Sequence, residues 1–248
     1  MQRKVALVTG SAAGIGAACA RSLAEQGVEV VLADLRHTTA EETAENIRAA
    51  GGTARAVELD VTQPEAVDAV IDEIGSREGR LDIAVNNAGI AGEYSLAAAH
   101  TIEGWRSSIE TNLSSFFYCI KYEIPLMLAG GGGGSIVNVS SIMGAVGSKR
   151  APSYGAAKHA IVGLTKSVAL QYANTGLRVN AVGPGYIETE LSRSKLPQEE
   201  RDRLAAATPV QRLGAPAEVA ALVSFLASDS ASFITGGFHL ADGGYTAQ

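Results

Sequence analysis

The strand Ser135-Ile136-Val137-Asn138-Val139, ending in Ser140-Ser141, decides the fold together with the helix and strand after it. Past a Gly-containing loop a helix opens at Ser153-Tyr154-Gly155-Ala156-Ala157-Lys158 and runs to about Ala173, and Leu177-Arg178-Val179-Asn180-Ala181-Val182 forms the next strand. Strand, helix and β-branched strand in that order make a βαβ unit, whose two strands run parallel. The same alternation recurs upstream. Val5-Ala6-Leu7-Val8 ends at Thr9-Gly10 and feeds a helix opened by Gly14-Ile15-Gly16, and Val28 to Ala33 stops at Asp34. A helix from Glu41 to Ala50, a strand from Ala54 to Leu59 ending at Asp60 and a helix after Pro64 come next, and Leu81 to Val85 ends at Asn86-Asn87-Ala88-Gly89. A long helical stretch covers about Glu103 to Leu128 and breaks in Gly130 to Gly134, read as a flexible connection. The turn Gly183-Pro184-Gly185, a helix near Pro216 to Ala227 and the strand Phe238-His239-Leu240 close the chain. The expected architecture is a single α/β domain over residues 1–248, a doubly wound parallel sheet with helices on both faces.

Composition bounds the function. With 46% hydrophobic and 19% charged residues, the 248-residue chain buries a substantial core, which excludes a disordered protein. A net charge of −6 and the lack of any basic run argue against nucleic-acid binding. Cys19 and Cys119 are far apart and without a CxxC partner, which reads as core residues of a reducing compartment. Met1-Gln2-Arg3-Lys4 runs straight into a strand, and no apolar run approaches the ~18 residues of a membrane span. The expectation is a soluble, cytoplasmic protein with no membrane partner. His37, His100, His159 and His239 share no ligand spacing and are read as surface or structural, so no metal is expected.

Parallel sheets of this kind bind ligands at the carboxyl ends of their strands. At the first such end Gly10-x-x-x-Gly14-x-Gly16 lets the backbone turn tightly and approach a pyrophosphate, whose charge meets the free N–H groups of a helix N-terminus. Asp34 closes the second strand, where a carboxylate accepts hydrogen bonds from a ribose 2′-hydroxyl and repels a 2′-phosphate. That favours NAD over NADP, although Arg36 is a residue able to accommodate the phosphate, and Asp34 equally suits a turn or helix N-cap. On the later helix Tyr154 and Lys158 are four apart and share a face, so an ammonium beneath the ring would favour phenolate and lower a pKa that is about 10 unperturbed. Taken alone, Tyr-x-x-x-Lys is a frequent accident of ordinary helices.

Together, Thr9-Gly10-x-x-x-Gly14-Ile15-Gly16, Asn86-Asn87-Ala88-Gly89, Asn112, Ser141, Tyr154-x-x-x-Lys158 and Pro184-Gly185-x-Ile187-x-Thr189 resemble the short-chain dehydrogenase/reductase family over essentially the whole chain, in family order and spacing. The resemblance implies a Rossmann-type fold and a catalytic tetrad of Asn112, Ser141, Tyr154 and Lys158. Tyr154 would be the acid in reduction and the base in oxidation, Lys158 would lower its pKa and hold the nicotinamide ribose, and Ser141 would hold the substrate oxygen. Ser140 is left as a strand-end cap, and Asn112 resembles the asparagine whose helix distortion holds a relay water. By the same resemblance NAD would lie against Gly10, Ala13, Gly14, Ile15 and Gly16, with Asp34 and Leu35 at the adenosine ribose. Asp60 and Val61 would meet the adenine, Asn87, Ala88 and Gly89 its ribose, Ile187 and Thr189 the nicotinamide carboxamide, and Pro184 and Gly185 would also line the cofactor. No metal is needed to polarise the carbonyl. The one departure from the family is a longer glycine run before the organising strand.

Substrate choice is expected in a loop of about 186–212 and in Ile142-Met143-Gly144-Ala145-Val146-Gly147, which is apolar and uncharged. Tyr186 and Leu191 would add apolar wall, and the mixed-charge segment from Ser192 to Arg212 would be a mobile lid. A small ketone or secondary alcohol suits such a pocket, and Asp242 to Gln248 resembles the tail of secondary-alcohol dehydrogenases and carbonyl reductases in the family. A reductase of carrier-linked acyl chains and a non-catalytic NAD-binding regulator are the alternatives. The family resemblance also implies a homotetramer paired through the two long helices.

Overall fold

The computed structural model describes residues 3–189, Arg193 and 197–248. Seven strands are present among them: β1 (Val5–Thr9), β2 (Glu29–Asp34), β3 (Thr53–Glu58), β4 (Ile83–Asn86), β5 (Gly134–Val139), β6 (Leu177–Pro184) and β7 (Phe238–Ala241). They form one sheet in the order β3-β2-β1-β4-β5-β6-β7 with every pairing parallel, so strand order reverses between β1 and β4. The doubly wound fold expected from the alternation of elements is what forms.

Side-chain alternation divides the interior. Ala6, Val8, Val30 and Leu32 point to one face, where α1 (Gly14–Glu25), α2 (His37–Ala49) and the late helix Pro216–Ala227 pack on them. Val5, Leu7, Val31 and Ala33 point to the other, covered by α3 (Pro64–Arg77) and the helices Ser115–Ala129 and Pro152–Tyr172. Both faces being covered explains why the central strands read as unbroken apolar runs rather than alternating ones.

Three details depart from the sequence reading. The stretch expected as one helix is α4 (Ile102–Ile109), a π-helical turn over Glu110–Ser114 and α5 (Ser115–Ala129). The glycine run is no loose tether: Gly131 and Gly133 both have φ of 73°, and a Cβ on Gly133 would collide with the carbonyl of Gly176. β6 continues two residues past Val182 because Gly183 and Pro184 still pair with Leu240 and Ala241 of β7. The remaining helices are α6 (Pro152–Tyr172), α7 (Gln198–Ala206) and α8 (Pro216–Ala227), and proline occupies the first turn of α3, α6 and α8, where its missing N–H costs nothing. Leu191 and Ser192, expected in the substrate wall and lid, lie outside the described residues.

Candidate active site

The glycine turn sits at the carboxyl end of β1, beside the reversal of strand order. Gly10 and Gly14 have φ of 64° and 61°, a conformation that side-chain-bearing residues rarely adopt. A Cβ on Gly16 would collide with the Gly10 carbonyl oxygen, and one on Gly10 would stand 2.8 Å from Ala88 Cα. Asn87 locks this packing, its side-chain amide donating to the carbonyls of Thr9 and Gly10 at 3.0 Å each. Ala13 is the N-cap of α1 and supplies no side-chain cap, and the first turn holds no acidic residue. The first N–H groups of α1, including those of Gly14, Ile15 and Gly16, therefore meet no side-chain acceptor from the cap, a setting that fits a pyrophosphate.

Asp34 ends β2 as a buried carboxylate. Its Oδ2 accepts from Ala12 N–H of the glycine turn and its Oδ1 from Arg36 N–H, both at 2.9 Å, with Arg36 Nε at 3.5 Å. Each oxygen keeps a second lone pair for a ribose hydroxyl. Leu35 is 64% exposed at the rim, offering an apolar face beside that carboxylate. At the end of β3 Asp60 accepts from the amide and hydroxyl of Thr62 at 2.9 and 2.7 Å, while Val61 is buried in the core.

The four residues expected to be catalytic come from three elements. Asn112 lies inside the π-turn, where its Oδ1 accepts from Ile90 N–H at 2.9 Å and its Nδ2 meets Ser108 Oγ at 3.2 Å. A wide turn at a buried helix-interior Asn accounts for a residue that an ordinary helix would disfavour. A Cβ on Gly89 would fall 2.7 Å from Asn112 Oδ1, so a larger residue there would displace the Asn112 side chain. Ser140 is not the cap expected of it: Ser141 Oγ accepts from Met143 N–H at 3.2 Å, whereas Ser140 Oγ donates to the Lys158 carbonyl at 2.8 Å and ties β5 to α6.

Lys158 is only 4% exposed. Its Nζ donates to the Val139 carbonyl at 3.0 Å and stands 5.5 Å from the Tyr154 ring centroid and 5.2 Å from that of Phe116. The shared helix face is as expected, but the electrostatic outcome differs. Burial pulls the Lys158 pKa down to about 7, and burial pushes the Tyr154 phenol above its ordinary value, against a lowering hydrogen bond from Ser141. Desolvation outweighs the cation because a lysine that is itself half-discharged near neutrality has little charge to lend. Phe116 is a contact that the sequence reading lacks, although its place four residues after Asn112, one helical turn along the same face, is a signal that could have found it.

After β6 the chain arches back toward the glycine turn. Gly185 passes so close to β7 that a Cβ would stand 2.8 Å from Asp242 Cα, and Ile187 bridges to Gly214. The Thr189 methyl lies 3.4 Å from where a Gly14 Cβ would be, so the arch from Pro184 to Thr189 faces the mouth of the turn. Tyr186 is not plain apolar wall: its ring meets Tyr245 edge-on at 5.2 Å, and burial with the Tyr245 hydroxyl pushes its own pKa up to about 12.

The family described as enoyl-(acyl carrier protein) reductase matches residues 10–246. A cyclohexanol dehydrogenase from Acinetobacter sp. is 45% identical over 245 residues, covering 99% of this chain and 96% of that protein. A cis-4-hydroxycyclohexanecarboxylate dehydrogenase from Sinomonas cyclohexanicum is 46% identical over 244 residues, 98% and 97% of the two chains. The crystal structure of a variant actinorhodin polyketide ketoreductase with NADPH superposes with a TM-score of 0.94 at 33% identity, covering 99% and 98%. Likeness of that breadth, in sequence as in the path of the sheet, makes this chain a member of the short-chain dehydrogenase/reductase family and an oxidoreductase.

Proposed function

We propose that the protein transfers a hydride between NAD(H) and a small secondary alcohol or ketone, with an alicyclic alcohol as the first substrate to try. The observation that carries this reading is the meeting of the Ser141 hydroxyl, the Tyr154 phenol and the Lys158 amine at the end of β5. Two relatives named for cyclohexanols support the substrate class. The nicotinamide, when bound, supplies the hydride acceptor or donor. Everything else falls to this chain's side chains. Ser141 holds the substrate oxygen, and in oxidation Tyr154 takes the substrate hydroxyl proton as its own phenol proton passes on toward Lys158, the same two protons moving back in reduction. Lys158, whose pKa of about 7 lets it gain or lose a proton at neutral pH, accepts the proton onward. Asn112 sets the wide turn in which a relay water would sit, the apolar loop after Ser141 and the 186–212 segment choose the substrate, and no metal takes part.

NAD is favoured over NADP by the buried Asp34 carboxylate, whose oxygens each accept one backbone hydrogen bond and keep a lone pair for a ribose 2′-hydroxyl. The relative with NADPH shows that this fold also takes the phosphorylated cofactor. Purified protein with cyclohexanol, linear secondary alcohols and a β-ketoacyl thioester, each with NAD(H) and NADP(H), separates the possibilities by absorbance of the reduced cofactor. Turnover of alcohols with NAD is expected. Equal or faster turnover with NADP(H) refutes the cofactor assignment, and a preference for the thioester supports the carrier-linked alternative. Tyr154→Phe is expected to bind NADH and lose turnover by roughly 10²–10⁴-fold, the range of a general acid–base residue; retained activity would mean the proton comes from another group. We also assign a cytoplasmic homotetramer, with exposed Trp105, Phe117 and Leu170 on α4, α5 and α6 covered between subunits, to be checked by light scattering. No helix among the described residues is long and apolar enough to cross a membrane.

A further inference from the structure

Ser153 immediately precedes Tyr154 in the first turn of α6 and is 0% exposed. Its Oγ lies 3.0 Å from Nε2 of His100, whose Nδ1 lies 2.8 Å from Ser95 Oγ. Ser95 in turn donates its proton to Glu93 Oε1 at 2.8 Å. A hydroxyl that gives its proton to a carboxylate can only accept from its other neighbour, so Nδ1 of His100 is the donor to Ser95, and with hydrogen on Nδ1 alone Nε2 accepts from Ser153. Glu93 is held as well, by the amide and hydroxyl of Thr101 at 3.1 and 2.6 Å. The series carboxylate, serine, imidazole, serine has the order of a hydrolytic relay, but no acyl carbon can reach a serine with no exposed surface.

The same loop walls the cleft. It leaves β4 through Asn87 at the glycine turn, gives Ile90 N–H to Asn112, and reaches Arg150, whose carbonyl accepts from Ser95 N–H at 2.8 Å. At Gly92 a Cβ would stand 3.2 Å from Ser108 Oγ and 3.7 Å from Ser153 Oγ, so loop, π-turn and α6 meet at one point.

We infer that His100 is a positioning residue of the proposed reaction: by accepting from Ser153 it fastens the β4–α4 loop to the first turn of α6 and holds the Tyr154 phenol at one distance from Ser141. The inference rests on Tyr154 being the acid–base group. Displacements near 1 Å in such an arrangement cost up to about 10²-fold in rate.

Two amide variants split the two ends of the imidazole. His100→Gln can place an acceptor where Nε2 was, keeping the bond from Ser153; His100→Asn can place a donor where Nδ1 was, keeping the bond to Ser95. With cyclohexanol and NAD as probes, His100→Asn and Ser153→Ala are each expected to lower kcat about tenfold, with the Kd for NAD unchanged. Their combination should lower kcat no further, and His100→Gln should restore it to within about twofold of wild type. Wild-type kcat in Ser153→Ala, additive losses in the double variant, or a His100→Gln as slow as His100→Asn would each overturn the inference. Ser153→Ala and His100→Gln decide it even if His100→Asn does not fold. Turnover retained by Tyr154→Phe would bring down the reading of the site itself, whereas a dead Tyr154→Phe beside a normal Ser153→Ala brings down only the role of His100.

Discussion

Two ionisable side chains lie buried on the same side of the sheet with no ion pair among the described residues, and their surroundings treat them differently. Lys158, at the carboxyl end of β5, donates to the Val139 carbonyl and lies against the rings of Phe116 and Tyr154. Glu123, on α5, is entirely inaccessible; its Oε2 accepts from Asn86 Nδ2 at 3.2 Å, while its Oε1 and Asn86 Oδ1 have no hydrogen-bond partner. Desolvation drives both toward neutrality, taking the lysine down to about 7 and the carboxyl up to about 8. A neutral Glu123 supplies the one donor that its own Oε1 and Asn86 Oδ1 lack. The lysine borders a half-buried phenol at the cleft. The carboxyl sits beneath β4 and β5 with no exposed surface. One physical effect therefore acts beside the proposed proton relay in one place and on internal order in the other.

The contrast can be broken first at the lysine. Lys158→Met, which keeps the stem and removes the amine, is expected to lower cyclohexanol turnover by about 10²–10³-fold. It should not lower the melting temperature, because it removes a desolvated amine. The folded pKa lies below the free value of 10.5, so wild-type stability is present above about 10.5 and lost as pH falls toward 7, whereas the variant should show no such slope. Turnover within tenfold of wild type would remove Lys158 from the mechanism.

Next comes the carboxyl. The folded pKa of Glu123 is about 8 against an ordinary 4.5, so stability is full below about 4.5 and falls as pH rises through 8. The loss should be on the order of 5 kcal/mol in urea unfolding, and Glu123→Gln should abolish it. A wild-type midpoint that stays flat between pH 5 and 8 would show that the carboxylate is compensated when ionised. The smallest effect belongs to Thr165→Val. Asn86 Nδ2 also meets Asn138 Oδ1 at 3.1 Å, and Asn138 Nδ2 donates to Thr165 Oγ1 at 3.0 Å. Deleting that last acceptor should cost about 1–2 kcal/mol of stability and leave KM for NAD unchanged; a neutral result would mean Asn138 finds another partner.

Legibility in the sequence tracks the range of the interactions involved. The glycine turn, Asp34 at a strand end and the Tyr154–Lys158 spacing are consequences of local backbone geometry and helix periodicity, and each stands where its spacing places it. The Tyr154 shift runs opposite to the expected direction because a sequence shows the nearby cation but not the depth at which both groups lie. The cap falls to Ser141 rather than Ser140 for a similar reason: adjacent strand residues point to opposite faces, and only the position of α6 decides which one finds a helix carbonyl. Likewise, the Asn112 spacing suggests a distorted helix, but the π-turn and the grip on Ile90 require the β4 loop to lie alongside.

By itself the sequence determined the order of strands and helices, the parallel sheet and the glycines that must turn or pass close, because those depend on hydrophobic period and on what a Cβ would strike. The tertiary structure decided which ionisable groups are driven neutral, which serine caps and which ties, and how His100 comes to hold the helix of Tyr154. Those outcomes depend on burial and on contacts between residues as far apart as 53 positions, neither of which any local pattern records.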